Sequence, residues 1–156
     1  HLGEKQHWCK GAIWEPTPHI PFIVHGPGIA KGSRCTQPVS LIDIYPSLLD
    51  FAGYDMPEWI DGTSVKAQLV KADTPRPPVI SSYGEGNTSI RTEHWRYIRY
   101  EDGSEELYDH RVDPNEWTNQ AGNPEHAKVK TRMSKLIPRE QHAGLKVKDW
   151  FDKFQD

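Results

Sequence analysis

Lys10 closes a dense run of polar and aromatic residues, Gly3-Glu4-Lys5-Gln6-His7-Trp8-Cys9-Lys10, and of all side chains in this sequence it is best suited to chemistry on an anion. A lysine ammonium is a compact point charge that stabilises negative charge gathering on a leaving oxygen. The run continues through Ala12-Ile13-Trp14-Glu15 to the apolar stretch Phe22-Ile23-Val24, which Gly26-Pro27-Gly28 closes. Physically this reads as a polar loop that delivers Lys10 to the rim of a sheet. His7, three residues earlier, is spaced to reach the same pocket, whereas Lys5 reads as solvated. Glu15 reads as a support of the loop rather than an acid–base group.

A second group of polar residues lies further on. Tyr83-Gly84-Glu85-Gly86-Asn87-Thr88 is a glycine-rich loop in which Glu85 and Asn87 are able to hydrogen-bond sugar hydroxyls. Phosphate cradling is not indicated, because no Lys-Ser/Thr follows and no helix opens there. Arg91, Arg96 and Arg99 read as the exposed face of a strand, with Arg91 nearest the rim. His1, His7, Cys9 and His19 miss zinc-site spacing and no Cys-x-x-Cys occurs, so no metal ligand is assigned. A Gly-x-Ser-x-Gly elbow is absent too, so no nucleophile is identified. Cys9 and Cys35 could pair or stay free.

The elements that must position these residues are legible in part. Phe22-Ile23-Val24, bounded by Pro21 and Gly26, predicts a short buried strand. Ile44, Leu48, Leu49 and Ala52 recur at helical spacing, which predicts a helix over 43–52. Asp43 is its expected N-cap, Pro46 sits in its first turn and Gly53 stops it. Val79–Tyr83, Thr88–Thr92, Trp95–Tyr100 and Glu105–Asp109 read as strands, the last two joined by a hairpin at Asp102-Gly103. The third alternates aromatic or aliphatic residues with arginine, as a half-buried antiparallel strand does, although Tyr100 breaks parity and suggests a bend. Asn123-Pro124 starts a helix with apolar positions Ala127, Val129, Met133, Leu136 and Ile137, and Trp150, Phe151 and Phe154 suggest a last amphipathic turn.

Composition bounds the rest. Apolar residues make up 35% of 156, with 13 prolines and 12 glycines, and the mean hydropathy is -0.77. Such a chain is loop-rich; a piece that leans on a missing partner would look like this, and so would a small irregular α+β domain. A formal charge of -3 argues against a nucleic-acid binder. No run of about 18 apolar residues offers a membrane span. His1 opens the chain without an initiator Met or a secretory leader, so further sequence is expected upstream.

Several of these stretches together resemble the sulfatase family. They are Leu2-Gly3-Glu4, Trp8-x-Lys10, Glu15, Ile20-Pro21-Phe22-Ile23 with Pro27-Gly28, the block Val39–Gly53, Asp61-Gly62-x-Ser64, Leu107-Tyr108-Asp109, and Asp113-Pro114-Asn115-Glu116 with Asn119. They occur in the family's order from residue 1 to about 137. The resemblance implies an α/β fold: the end of an alkaline-phosphatase-like mixed sheet over 1–70, a Pro-rich connector at 71–78, and an antiparallel-sheet subdomain with a helix over 79–156. It implies that Lys10 contacts sulfate; Trp8 and His19 lie in or beside its matched motifs, and with His7, Asn87 and Arg91, read above from their positions, they are the expected substrate-side residues. His19 stands where the family usually has Arg, which replaces an always-charged fork with a titratable ring. Neither Cys9 nor Cys35 fits the family's Cys/Ser-x-(Pro/Ala)-x-Arg, so its formylglycine would lie outside this chain, as would the ligands of its calcium. The expected partners are the missing N-terminal part and a sulfated carbohydrate, with no nucleic acid, and the family's compartments are periplasmic, secreted or lysosomal. Two other readings stay open: a phosphodiester or phosphonate ester hydrolase of the same superfamily, and a non-catalytic binding or accessory module.

Overall fold

A computed structural model describes residues 1–138. They form two compact units, one built from residues 1–20 together with those from Ile80 onward, the other from Pro21–Val79. Each is described by itself.

The first unit is organised on a four-stranded sheet in the order β1 (Val79–Ser82), β2 (Thr88–Arg91), β3 (Trp95–Arg99), β4 (Glu105–Asp109). β2 and β3 are antiparallel with Ile90 opposite Tyr97, and β3 and β4 are antiparallel with Tyr97 opposite Leu107. The β3–β4 turn is set by Gly103, at φ 82, and by Asp102, whose carboxylate accepts from the Ser104 N–H at 2.8 Å. Asn123 accepts from the Glu125 N–H at 3.0 Å and starts a 3-10 turn, Pro124–His126, that runs into helix α3 (Ala127–Ser134). The helix stops short of Pro138, although Met133 and Ile137 do reach the core with Ile90, Trp95, Tyr97 and Leu107. Trp150, Phe151 and Phe154 lie outside the described residues.

Here β3 departs from expectation. Period-two alternation sends Trp95 and Tyr97 to the face covered by α3, and it sends Arg96 and Ile98 to the other face, which was expected to be solvated. That second face is covered by residues 1–20: Ile13 is buried with Ile98 and Tyr108, and Trp14 and Tyr100 pack beside them. Tyr100 therefore breaks no rule. It belongs to the second core, and the register from Trp95 to Arg99 is unbroken.

The second unit, residues 21–79, carries helix α1 (Ile44–Ala52), entered through a 3-10 turn at Leu41–Asp43, and helix α2 (Lys66–Val70). Gly53 ends α1 at φ 75. Asp43 does not cap the first turn of α1 as expected. Its carboxylate instead reaches back to the Ser40 N–H at 2.7 Å and out to the Thr63 N–H at 2.8 Å and the Arg76 guanidinium at 2.7 Å. Ser47 donates to the Asp43 carbonyl and accepts from the Val65 N–H. Gly62 is required by close approach, since a Cβ there would stand 2.2 Å from the Ile42 carbonyl oxygen. Phe22-Ile23-Val24 forms no strand: no described segment pairs with its backbone, and Ile23 is 90% exposed. Leu48, Tyr45 and Ile44 on α1 are also exposed.

Candidate functional site

Lys10 sits on a loop whose backbone is closed on itself. Leu2 and Trp8 form an antiparallel bridge, the Cys9 N–H donates to the His1 carbonyl, and the Ala12 N–H donates to the Lys10 carbonyl at 2.9 Å. Gly11 packs where a Cβ would stand 2.6 Å from the Tyr83 hydroxyl, so the residue after Lys10 must be glycine or push that ring aside. Lys10 is exposed and, among the described residues, its ammonium has no partner.

Directly after this loop the chain is fastened to the sheet. Arg96 is 2% exposed and donates to the Ile13 carbonyl at 3.1 Å, to Ser89 Oγ at 2.7 Å, to the Glu15 carboxylate and to Glu116 Oε1 at 2.5 Å. Glu15 also accepts from Arg91 Nε at 3.1 Å, and its own N–H donates to Glu116 Oε2 at 2.9 Å. Arg91 Nη2 lies 2.9 Å from His110 Nδ1, and His110 Nε2 lies 2.8 Å from Glu116 Oε1. A guanidinium has no lone pair to offer, so Nδ1 must accept and the His110 proton sits on Nε2. Trp14 adds a further tie through its indole N–H to Glu106 at 2.7 Å.

Arg96 is thus not on a solvated strand face. Two carboxylates neutralise it in the interface between β3 and residues 13–15, where an unpaired charge would be costly. Glu15, read as a loop support, makes the contacts of one. Burial by itself would raise its pKa, but the Arg91 hydrogen bond and the Arg96 and Arg91 charges hold it down at about 2. A carboxyl depressed from 4.5 in the folded state contributes stability that is full above about pH 4.5 and is lost as pH falls toward 2. Acid unfolding followed by fluorescence should therefore flatten across that window in Glu15→Gln. The wild-type loss there should be on the order of 2 kcal/mol after solvent screening is allowed for. An unchanged acid limb in the variant would count against the pairing.

Glu15, His110 and Glu116 bring three ligand-type atoms within 4.8 Å of one another. They do not fit calcium or another hard cation. Both imidazole nitrogens are already engaged, both carboxylates serve guanidinium groups, and an ion would face two arginine charges.

The remaining predicted residues scatter. Trp8 is 67% exposed beside Lys10, while His7 turns inward and packs edge-on to His1 and Trp14. His19 is exposed, 3.8 Å from Glu15. Arg91 is committed to Glu15 and His110. Asn87 is committed as well, donating to the Glu85 carbonyl and accepting from the Glu101 N–H. It lines a cleft of about 690 Å3 with Trp14, Tyr100 and the carboxylates Glu101, Asp102 and Glu106, a lining that repels sulfate. Lys5 is not solvated: its ammonium donates to the Tyr108 hydroxyl at 2.7 Å and lies 4.4 Å from that ring. Cys9 and Cys35 are free and exposed. Arg96, His110 and Glu116 were missed as a group, because nothing in their spacing shows that they converge.

The chain is similar to known proteins over most of its length. Residues 3–143 match the family described as N-sulphoglucosamine sulphohydrolase, C-terminal. The chain belongs to the sulfatase family, in its C-terminal portion. It is 34% identical over 139 residues to a sulfatase of Formosa agariphila, covering 88% of this chain and 27% of that protein. It is 37% identical over 134 residues to human arylsulfatase K, covering 76% of this chain and 25% of that protein. Among solved structures it is similar to BT4656 in complex with its substrate D-glucosamine-2-N,6-O-disulfate, with 31% identity and a TM-score of 0.53 over 61% of this chain and 22% of that one. The phosphonate monoester hydrolase of Silicibacter pomeroyi, at 24% identity and a TM-score of 0.71 over 87% of this chain and 31% of that one, shares the fold. The chain spans about a quarter of the length of the curated relatives it matches.

Proposed function

We propose that this chain is the C-terminal part of a sulfuric ester hydrolase acting on a sulfated carbohydrate, and that Lys10 is its contact to the sulfate group. The observation that carries the reading is an unpartnered ammonium on a loop whose following residues are tied to the sheet. Such a group is free to meet an anion, and its point charge would stabilise charge that develops during S–O cleavage. The sulfatase relatives and the disulfated glucosamine bound by BT4656 support the substrate class. The reading leaves the formylglycine nucleophile and the calcium ligands to residues outside this chain, so turnover belongs to the full-length protein and not to these 156 residues alone.

In the full-length protein, Lys10→Ala should lower kcat on an aryl sulfate about a hundredfold, the usual cost of removing one charged donor from a dry site, ~3 kcal/mol. Lys10→Arg should rescue poorly, since a planar fork does not replace a point charge. Lys5 is unsuitable as the neutral control because of its bond to Tyr108, so exposed Lys31→Ala serves instead. Equal, mild effects at Lys10 and Lys31 would refute the role. Faster hydrolysis of a phosphonate ester than of the sulfate would favour the other hydrolase class. Ligand binding without turnover by either ester would favour the accessory module.

A further inference from the structure

Glu116 is the most fully enclosed charge in the described residues that has no place in the sulfate-contact reading. It is 0% exposed, and its backbone is held at φ 60, a left-handed conformation that a non-glycine residue adopts only at a cost. The Asp113 carboxylate, accepting from the N–H groups of Trp117 and Thr118, and the Glu116 N–H, donating to the Asp113 carbonyl, shape that turn. The result aims one carboxylate at three separate parts of the chain: Arg96 on β3, His110 after β4, and the backbone N–H of Glu15.

The third of these contacts is the informative one. An ion pair with Arg96 alone would need only a carboxylate somewhere near the guanidinium. Glu116 instead uses its second oxygen on the main chain of the segment that carries Lys10. Arg96, which it orients, holds the Ile13 carbonyl two residues earlier. Main-chain groups of Ile13 and Glu15 are thereby fixed, and Ala12, next to Ile13, donates its N–H to the Lys10 carbonyl. Only Gly11 and Ala12 separate Lys10 from the anchored Ile13.

We propose that Glu116 is a positioning residue for Lys10: the strained turn after β4 sets where the ammonium stands. This rests on the sulfate-contact reading of Lys10. The mechanism is orientation, in which a displacement of about 1 Å at a reacting centre can cost on the order of a hundredfold in rate.

The test is a double-variant cycle on the full-length protein, with kcat and KM for an aryl sulfate measured well below the unfolding midpoint and folding checked by circular dichroism. Glu116→Gln keeps the shape and one acceptor but removes the charge that orients Arg96. It should lower kcat about tenfold with KM little changed. In the Lys10→Ala background the same substitution should cost less than about twofold, because there is no ammonium left to misplace. A residue that only supports folding would lower activity by the same factor in both backgrounds, and that result would overturn the proposal. Glu116→Asp gives a second route if the glutamine variant folds poorly. Aspartate tolerates the left-handed backbone and keeps the charge, but withdraws by one methylene from Glu15. Its loss should also vanish without Lys10. If Lys10→Ala alone has no effect, the sulfate-contact reading falls and this proposal with it. A large Lys10 effect with equal Glu116 losses in both backgrounds overturns the positioning role alone.

Discussion

Arg96→Met should destabilise the protein by about 3–5 kcal/mol, the usual cost of removing one partner from a buried ion pair. The side chain is almost wholly enclosed and serves four acceptors: two carboxylates, the Ser89 hydroxyl and the Ile13 carbonyl. Methionine fills much of the same volume, so the loss would come from the uncompensated charge on Glu116 and the orphaned carbonyl rather than from a cavity. Arg96→Lys should recover only part, since one ammonium cannot reach four acceptors arranged around a fork. Pairing Arg96→Met with Glu116→Gln should cost less than Arg96→Met alone, because glutamine removes the carboxylate that Arg96 neutralised and still offers an acceptor to the Glu15 N–H. Urea unfolding of the three variants decides the matter. A loss under about 1 kcal/mol for Arg96→Met would mean that water reaches the cluster and screens it.

Asp43→Ala should cost a comparable amount, about 3–5 kcal/mol, within residues 21–79. Asp43 and Arg76 are both nearly enclosed, with side chains 5% and 4% exposed. Two Arg76 nitrogens, Nε and Nη1, already lack partners among the described residues, so losing Asp43 would strip that guanidinium of its counter-charge altogether. The same carboxylate closes the turn before α1 and holds the Thr63 N–H, so helix and loop would loosen together. Asp43→Asn should fall short of full rescue, because the amide is neutral and presents donors to donors. Hydrogen exchange of the Ser40 and Thr63 amides, compared between the variants, reads the local effect. Unchanged protection at both would contradict the arrangement.

The strands and helices were legible in the sequence because each is a local pattern: alternation at 95–99, Asp-Gly at the hairpin, Asn-Pro before α3. What could not be read is how many faces of β3 are covered. Arginines alternating with aromatics look the same whether the arginine side meets water or a second layer carrying Glu15. Only the fold brings residue 15 beside residue 96. Lys5 was misread for the same reason, since its partner Tyr108 lies a hundred residues away. Phe22-Ile23-Val24 shows the converse. Its composition is that of a strand, but composition supplies no pairing strand, and among the described residues none pairs with it. Within the candidate site, the supporting part of Glu15 was readable from its place in the loop. Glu116 was not, because its importance comes from a left-handed backbone angle that no spacing announces.

The discontinuity of the first unit bears on how the protein is made. Residues 1–20 leave the ribosome before β3, β4 and the turn bearing Glu116 exist, with residues 21–79 synthesised in between. At roughly 5–20 residues per second, Ile13 and Trp14 wait about 5–20 seconds for the surface that will cover them. Closing the loop across residues 21–79 then costs about 3–4 kcal/mol of chain entropy, which no contact repays until the two ends meet. Ile13 and Trp14 are therefore open to chaperones and proteases in that interval. The acid–arginine cluster that fastens Glu15 is what ends it.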